Sequence, residues 1–191
     1  QQLMAAEREI IEEAYAGDII GVFDPGIFSI GDTLCAPGKK FRFDPIPTFA
    51  PEHFRRVRSL DTMKRKQFLK GMEQIAQEGA IQIFKTPYTG MEEVIVGVVG
   101  TLQFDVLEYR LKNEYNVELY MEGLPYEYLR WIRSADGEPV KEEDLILGTD
   151  VKLVEDYKGN QLLLFGSQWA IGWTQERNRD LTFYEFGGGI A

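Results

Sequence analysis

Between His53 and Lys70 the chain carries Arg55, Arg56, Arg58, Lys64, Arg65, Lys66 and Lys70 against Asp61 alone, a local charge of +6 in a chain of net charge -10. Ammonium groups and guanidinium forks of this kind hold phosphate oxygens. Spacing limits how many can act together. A regular strand through Phe54-Arg55-Arg56-Val57-Arg58 points Arg55 and Arg58 to opposite faces, whereas Lys66 and Lys70, four apart, share one helical face. Lys64 and Arg65 fall on the first turn of that helix, where cations oppose the helix dipole, a small cost that an external polyanion offsets. A solvated helix face whose lysines pair with the acidic remainder accounts for the same residues equally well.

Groups able to make or break bonds are sparse. Cys35 and His53 are the sole cysteine and histidine, which excludes a disulfide framework and a multi-cysteine metal site. A Cys–His nucleophile would require the fold to join two separate segments; an inert cysteine and a solvent-facing or interdomain histidine are the expectation. A nucleotide-binding P-loop requires G-x-x-x-x-G-K-[ST], so that backbone amides and a lysine cradle the phosphates. The run Gly97-Val98-Val99-Gly100-Thr101 joins a strand to a helix but lacks the lysine and the loop length, and its glycines are expected to let strand and helix approach. No catalytic, cofactor-binding or metal-ligating residue is expected here, and the chain by itself is not expected to be an enzyme.

The 191 residues are 44% hydrophobic and 27% charged, the composition of a folded chain long enough to bury a core. An acidic surface repels nucleic acid, so RNA contact must be local to the basic segment, and no DNA partner is expected. No apolar run reaches the roughly 18 residues that span a bilayer, and no signal peptide opens the chain. Cytoplasmic residence without a membrane partner is the expectation. The start at Gln1 reads as a fragment of a longer protein, and Phe186 to Ala191 as a frayed tail.

Residues 1–47 show short strand signals, Ile19 to Phe23 and Ile27 to Ile30, around an Asp24-Pro25-Gly26 turn. They read as the end of a β-barrel whose earlier strands lie elsewhere, with Ile19, Ile20, Val22, Phe23, Ile27 and Phe28 partly exposed. Pro45 to Pro51 reads as a semi-rigid connector. From residue 48 to 191 the texture is α+β. A strand at Phe54 to Arg58 leads to a helix capped by Asp61 or Thr62, with a stripe of Phe68, Leu69, Met72, Ile75 and Ala76 and a left-handed Gly79 at its end. Strands at Ile81 to Phe84 and Glu93 to Val99 flank a Pro87 to Gly90 turn. A second helix, Thr101 to Tyr115, buries Phe104, Leu107, Leu111 and Tyr115, and a strand at Val117 to Met121 follows. That order, βαββαβ, predicts a ferredoxin-like domain with two helices on one face of an antiparallel sheet. RNA-recognition modules share the topology but stack bases on central aromatics; the corresponding Val94 to Val99 is aliphatic, which argues against sequence-specific single-strand binding.

The C-terminal extension holds a strand around Leu129 to Ile132 and an acidic stretch, residues 136–150, of charge -5. A hairpin over Val151 to Phe165 turns at Asp156 to Asn160. A helix at Ser167 to Arg177 has Trp169 and Trp173 as expected core anchors, and a strand at Thr182 to Phe186 follows. No internal repeat is visible.

Several stretches carry a resemblance. EEAYAGDIIGVFDPGIFSIGDTL, residues 12–34, resembles the closing strands of the second, barrel domain of the bacterial peptide chain release factor 3 family. FAPEHFRRVR, KQFLKGMEQIAQEGAIQIF and VGVVGTLQFDVLEYRLKNEYNVE resemble its third domain. Elongation factor G is similar in outline but less so from Thr101 to Glu118. The tail after Asp136 matches loosely, although TQERNRDLTF resembles the family's C-terminal ending. The resemblance implies a translational GTPase that promotes dissociation of class I release factors from the ribosome, its GTP and magnesium held by an N-terminal domain outside this chain. It implies that residues 1–47 and 48–191 form an arm meeting the RNA and protein of the small ribosomal subunit, with class I factors partners only indirectly. The seven basic residues are the candidate ribosome contacts. A free-standing ferredoxin-like module that binds a small molecule or regulates is the alternative, but it has no need of the barrel segment or the proline connector.

Overall fold

The computed structural model describes residues 2–3, 8–25, 27–28, 31–43, 49–87 and 93–185. Strands β1 (Gln2–Leu3) and β2 (Arg8–Glu9) form a short antiparallel ladder. From Ile10 to Phe43 the described residues add only an isolated bridge at Ile20. The strands expected at Ile19 to Phe23 and at Ile27-Phe28 are therefore not formed, while Ser29 and Ile30 lie outside the described residues. A strand exists only through a ladder partner, and here Ile19, Val22, Phe23 and Ile27 are exposed. Gly26 of the expected turn lies outside the described residues; beside it the Asp24 carboxylate accepts from the backbone N–H of Ile27 at 3.0 Å and of Phe28 at 3.3 Å. Most of the proline connector, and the Tyr88 to Gly90 part of the later turn, also fall outside the described residues.

Thereafter the elements run β3 (His53–Ser59), α1 (Arg65–Gln77), β4 (Gln82–Lys85), β5 (Glu93–Val98), α2 (Leu102–Tyr115) and β6 (Leu119–Leu124). Local signals set their limits. The Asp61 carboxylate accepts from Met63 N–H at 2.9 Å, capping a 3-10 turn that feeds α1, and Gly79 closes it at φ +75°. Asn116, left-handed at φ 55°, ends α2 while Val117 N–H reaches back to Leu111 O. Gln103 clasps the β5–α2 junction, accepting from Val99 and Gly100 N–H and donating to Ala80 O. Then follow β7 (Tyr128–Ser134), a 3-10 turn at Glu142–Asp144, β8 (Val151–Asp156), β9 (Gln161–Phe165), α3 (Gln168–Arg177) and β10 (Leu181–Tyr184).

All eight strands from β3 onward form one open antiparallel sheet in the order β10-β7-β9-β8-β4-β5-β3-β6. Each half has the same internal order: second, third, first, fourth strand. The halves meet through their second strands, β4 and β8, with Phe84 opposite Asp156 and Lys85 opposite Glu155. The repeat invisible in the sequence is thus present in the topology, with the acidic stretch standing in the second half where α1 stands in the first.

Three apolar clusters hold this together. On one face of the first half, Val57, Ile83, Val94, Val96 and Val98 pack beneath Phe68, Met72, Ile75, Phe104, Leu107 and Leu111 of the two helices. In the second half, Leu153, Leu163 and Phe165 pack beneath Ala170 and Ile171 of α3. The third cluster contains no helix residue: Phe54, Phe84 and Ile95 of one half join Leu129, Trp131, Val154, Leu162 and Leu164 of the other. Leu129, Leu162 and Leu164 are 0% exposed. Burial that complete on a face without helices requires the two halves to fold onto each other. Tyr126 lies between them, close enough to feel both Arg56 and Asp150, and burial pushes its hydroxyl pKa above the ordinary value.

Candidate nucleic-acid interface

Burial of Phe54 and Val57 on opposite faces orients β3 and so divides its arginines. Arg55 faces the helices, its guanidinium carbon 4.3 Å from the Phe104 ring centre. Arg56 and Arg58 point to the other face, opposite Glu122 and Tyr120 of β6. Arg56 pairs with Glu122 at 3.3 Å, and Arg58 lies 4.6 Å above the Tyr120 ring. Lys64 is half-buried and donates from Nζ to Asn116 O at 2.6 Å, which secures the end of α2; it does not stand on an exposed turn as its position in sequence suggested. Arg65, Lys66 and Lys70 are exposed on α1.

The seven cations therefore do not form one patch. Arg55, Arg56 and Lys64 are engaged by the fold. The exposed ones lie along a rim where the end of β3, the capping turn and the start of α1 follow one another: Arg58 with Tyr120, Leu60, Met63, Arg65 and Lys66, continued along the helix by Lys70. Met63 is 90% exposed, so the rim interleaves cations with apolar groups, an arrangement suited to a phosphate backbone and its sugars. Tyr120 was missed in sequence because its place under Arg58 follows from the β3–β6 register. One further arginine is not available to a ligand. Arg110 on α2 binds Glu114 through Nε (2.8 Å) and a terminal nitrogen (2.9 Å), and also Glu78 at the end of α1. Those hydrogen bonds raise its own pKa and hold the Glu114 carboxyl below its ordinary value.

The other candidates resolve individually. Cys35 is exposed and its thiol contacts Lys39 O at 2.9 Å, while His53 is the exposed first residue of β3. Gly97 does not serve strand–helix packing: a Cβ there would meet Pro51 Cβ at 2.8 Å and Phe84 Cε2 at 2.9 Å, on the face away from the helices, and Gly100 meets nothing within 4 Å. Gly97 instead lets the end of the connector lie against the sheet. A cleft of about 200 Å³ opens between Ile132, Ser134, Pro139 and Gln161, below the usual span of ligand pockets, about 300–1,000 Å³. Among the described residues no group of three or more His, Cys, Asp or Glu is placed to hold a metal ion, and no helix is long and apolar enough to cross a membrane. Trp169, expected in the core, is 72% exposed.

A family model described as class II release factor RF3, C-terminal domain, matches residues 43–175, and one described as elongation factor G domain 2 matches residues 1–37. Peptide chain release factor 3 of Symbiobacterium thermophilum is 49% identical over 183 residues, covering 96% of this chain and 34% of that protein. The protein of that name from Gloeobacter violaceus is 43% identical over 184 residues, with the same coverage. The one from Listeria welshimeri is 44% identical over 180 residues, 94% of this chain and 33% of the relative. The chain spans about a third of the length of these curated relatives. With the family match running from the connector through β3 and into α3, the chain belongs to the class II release factor RF3 family.

Proposed function

We propose that this chain is the ribosome-contacting C-terminal part of a peptide chain release factor 3. The whole protein would be a cytoplasmic translational GTPase that promotes dissociation of class I release factors from the ribosome in translation termination, with GTP and magnesium held outside this chain. The observation that carries the reading is the 43–49% identity to relatives of that name over nearly all of the chain. Within it, residues 1–47 are the end of a translation-factor barrel domain and 48–191 a ferredoxin-like domain with its extension. The β4-β5-β3-β6 strand order and the two helices on one face support the ferredoxin-like part.

The rim of Arg58, Arg65, Lys66 and Lys70 is the proposed contact with small-subunit RNA. Sedimentation with purified ribosomes across a salt series tests it. Each phosphate contact removed lowers the salt slope of log K by about 1. Lys66→Ala with Lys70→Ala is therefore expected to bind more weakly and with a slope shallower by about 2, while Arg110→Gln changes neither. Binding and slope unchanged in the double variant would remove this surface from the interface.

A further inference from the structure

Helix α3 turns Trp169 to solvent, 72% exposed, with the half-buried Trp173 one turn on. Trp169 and Trp173 lie with ring centres 6.3 Å apart, and the Arg177 guanidinium carbon sits 4.0 Å from the Trp173 ring centre. The three occupy successive turns of one helical face. The inner side of α3 is already satisfied by Ala170, Ile171 and Thr174, all buried, so the two indoles take no part in the core.

The surroundings are acidic. Residues 136–150 carry Asp136, Glu138, Glu142, Glu143, Asp144 and Asp150 against Lys141, and all but Asp150 are exposed. This stretch is tied to both ends of α3. Asn178, just past its last turn, accepts from Ile146 N–H and donates to Ile146 O, both at 2.9 Å. At the first turn, Ser167 lies 3.4 Å from Asp150 Oδ2. Such a field repels a polyanion and attracts a cationic chain. An exposed tryptophan with an acidic stretch nearby matches an arginine-bearing segment, since arginine stacks on indole and pairs with carboxylates, and tryptophan is among the residues that dominate protein interfaces.

We propose that the outer face of α3 and the adjoining acidic stretch form a docking surface for a basic, arginine-bearing segment of a partner protein, which stacks on Trp169, Trp173 being already covered by Arg177, and runs on past the end of the helix to pair with Glu142, Glu143 and Asp144. The surface is distinct from the cationic rim and stands whether or not that rim meets RNA. The test titrates the intact chain with an unstructured Arg-Gly repeat peptide, its Lys-Gly counterpart and poly(U) RNA, following tryptophan fluorescence. The Arg-Gly peptide is expected to bind and to perturb the emission. Trp169→Ala is expected to weaken it about 3- to 30-fold, the range a stacked cation supplies, and Trp169→Phe to retain most of the affinity. The triple variant E142Q/E143Q/D144N is expected to weaken binding and reduce its salt dependence. Unchanged affinity in Trp169→Ala with its melting temperature preserved, equal binding of the Lys-Gly peptide, or Trp169-dependent binding of poly(U) would each overturn the proposal.

Discussion

At Gly71, α1 comes close against α2. A Cβ there would lie 2.9 Å from Tyr115 Cγ and closer still to the tip of Leu111. The leucine tip can turn away, but the base of the tyrosine ring is anchored, since its hydroxyl contacts Gln74 Oε1 at 2.7 Å. Gly71→Ala gains about 1 kcal/mol of helix propensity and meets an overpacking cost of about 1–3 kcal/mol. A net loss of about 1 kcal/mol is expected in the urea midpoint; a variant more stable than the parent would mean that α1 slides freely. Glu114 offers a second residue-scale check. The Arg110 hydrogen bond places its folded-state pKa below the ordinary 4.5, so the unfolded chain takes up the proton first as pH falls. The pair's contribution is complete above pH 4.5 and is lost on descent through the folded value. NMR titration of Glu114 is expected to give a depressed pKa that returns to ordinary in Arg110→Gln, with the difference shrinking in high salt.

Among the elements, the acidic stretch is the least conventional, because it covers a sheet face without a helix. Val140, Leu145 and Leu147 pack against the β9–α3 core, and the backbone is fastened at two points. Gln161 bonds Val140 through both N–H and C=O, and Asn178 does the same for Ile146 while also donating to Thr174 O. Asn178→Ala removes both side-chain partners of the Ile146 backbone and one of the two donors to Thr174 O, for an expected loss of about 1–3 kcal/mol. Amide exchange should accelerate at residues 141–147 before it does in β9. Uniform acceleration would show that the clasp serves the whole domain and not the stretch. The docking surface proposed on α3 depends on this clasp, since it ties the acidic stretch to the end of that helix.

At the scale of the whole molecule, the two half-sheets share a core that neither can cover alone. Among the described residues only two residue pairs join β4 to β8, and the apolar face carries most of the union. A fragment of residues 49–124 would bare Phe54, Phe84 and Ile95, a contiguous patch of the kind that drives association. It is expected to self-associate and bind a hydrophobic dye in gel filtration and fluorescence, whereas the intact chain unfolds in one transition, with Trp131 emission and far-UV dichroism coincident. A monomeric fragment with a sharp melt would show that the first half is self-sufficient.

Periodicity and cap chemistry determined much from the sequence alone: Asp61, Gly79, the α1 and α2 stripes, the hairpin at Asp156 to Asn160 and the order of elements after residue 48 all follow from interactions within a few residues. The stretches quoted for the resemblance reached the family as well. What depended on the tertiary structure was every pairing across distant segments. Strand register set Arg56 on Glu122 and Arg58 on Tyr120, and helix contact set Arg55 on Phe104, so a run of seven cations became a rim of four. Ile19 to Phe23, strand-like in composition, formed no strand, since a ladder is made by a partner and not by propensity. Trp169, four residues from Trp173, could as well have faced inward; only the seating of α3 through Ala170, Ile171 and Thr174 decided which side of that helix meets water.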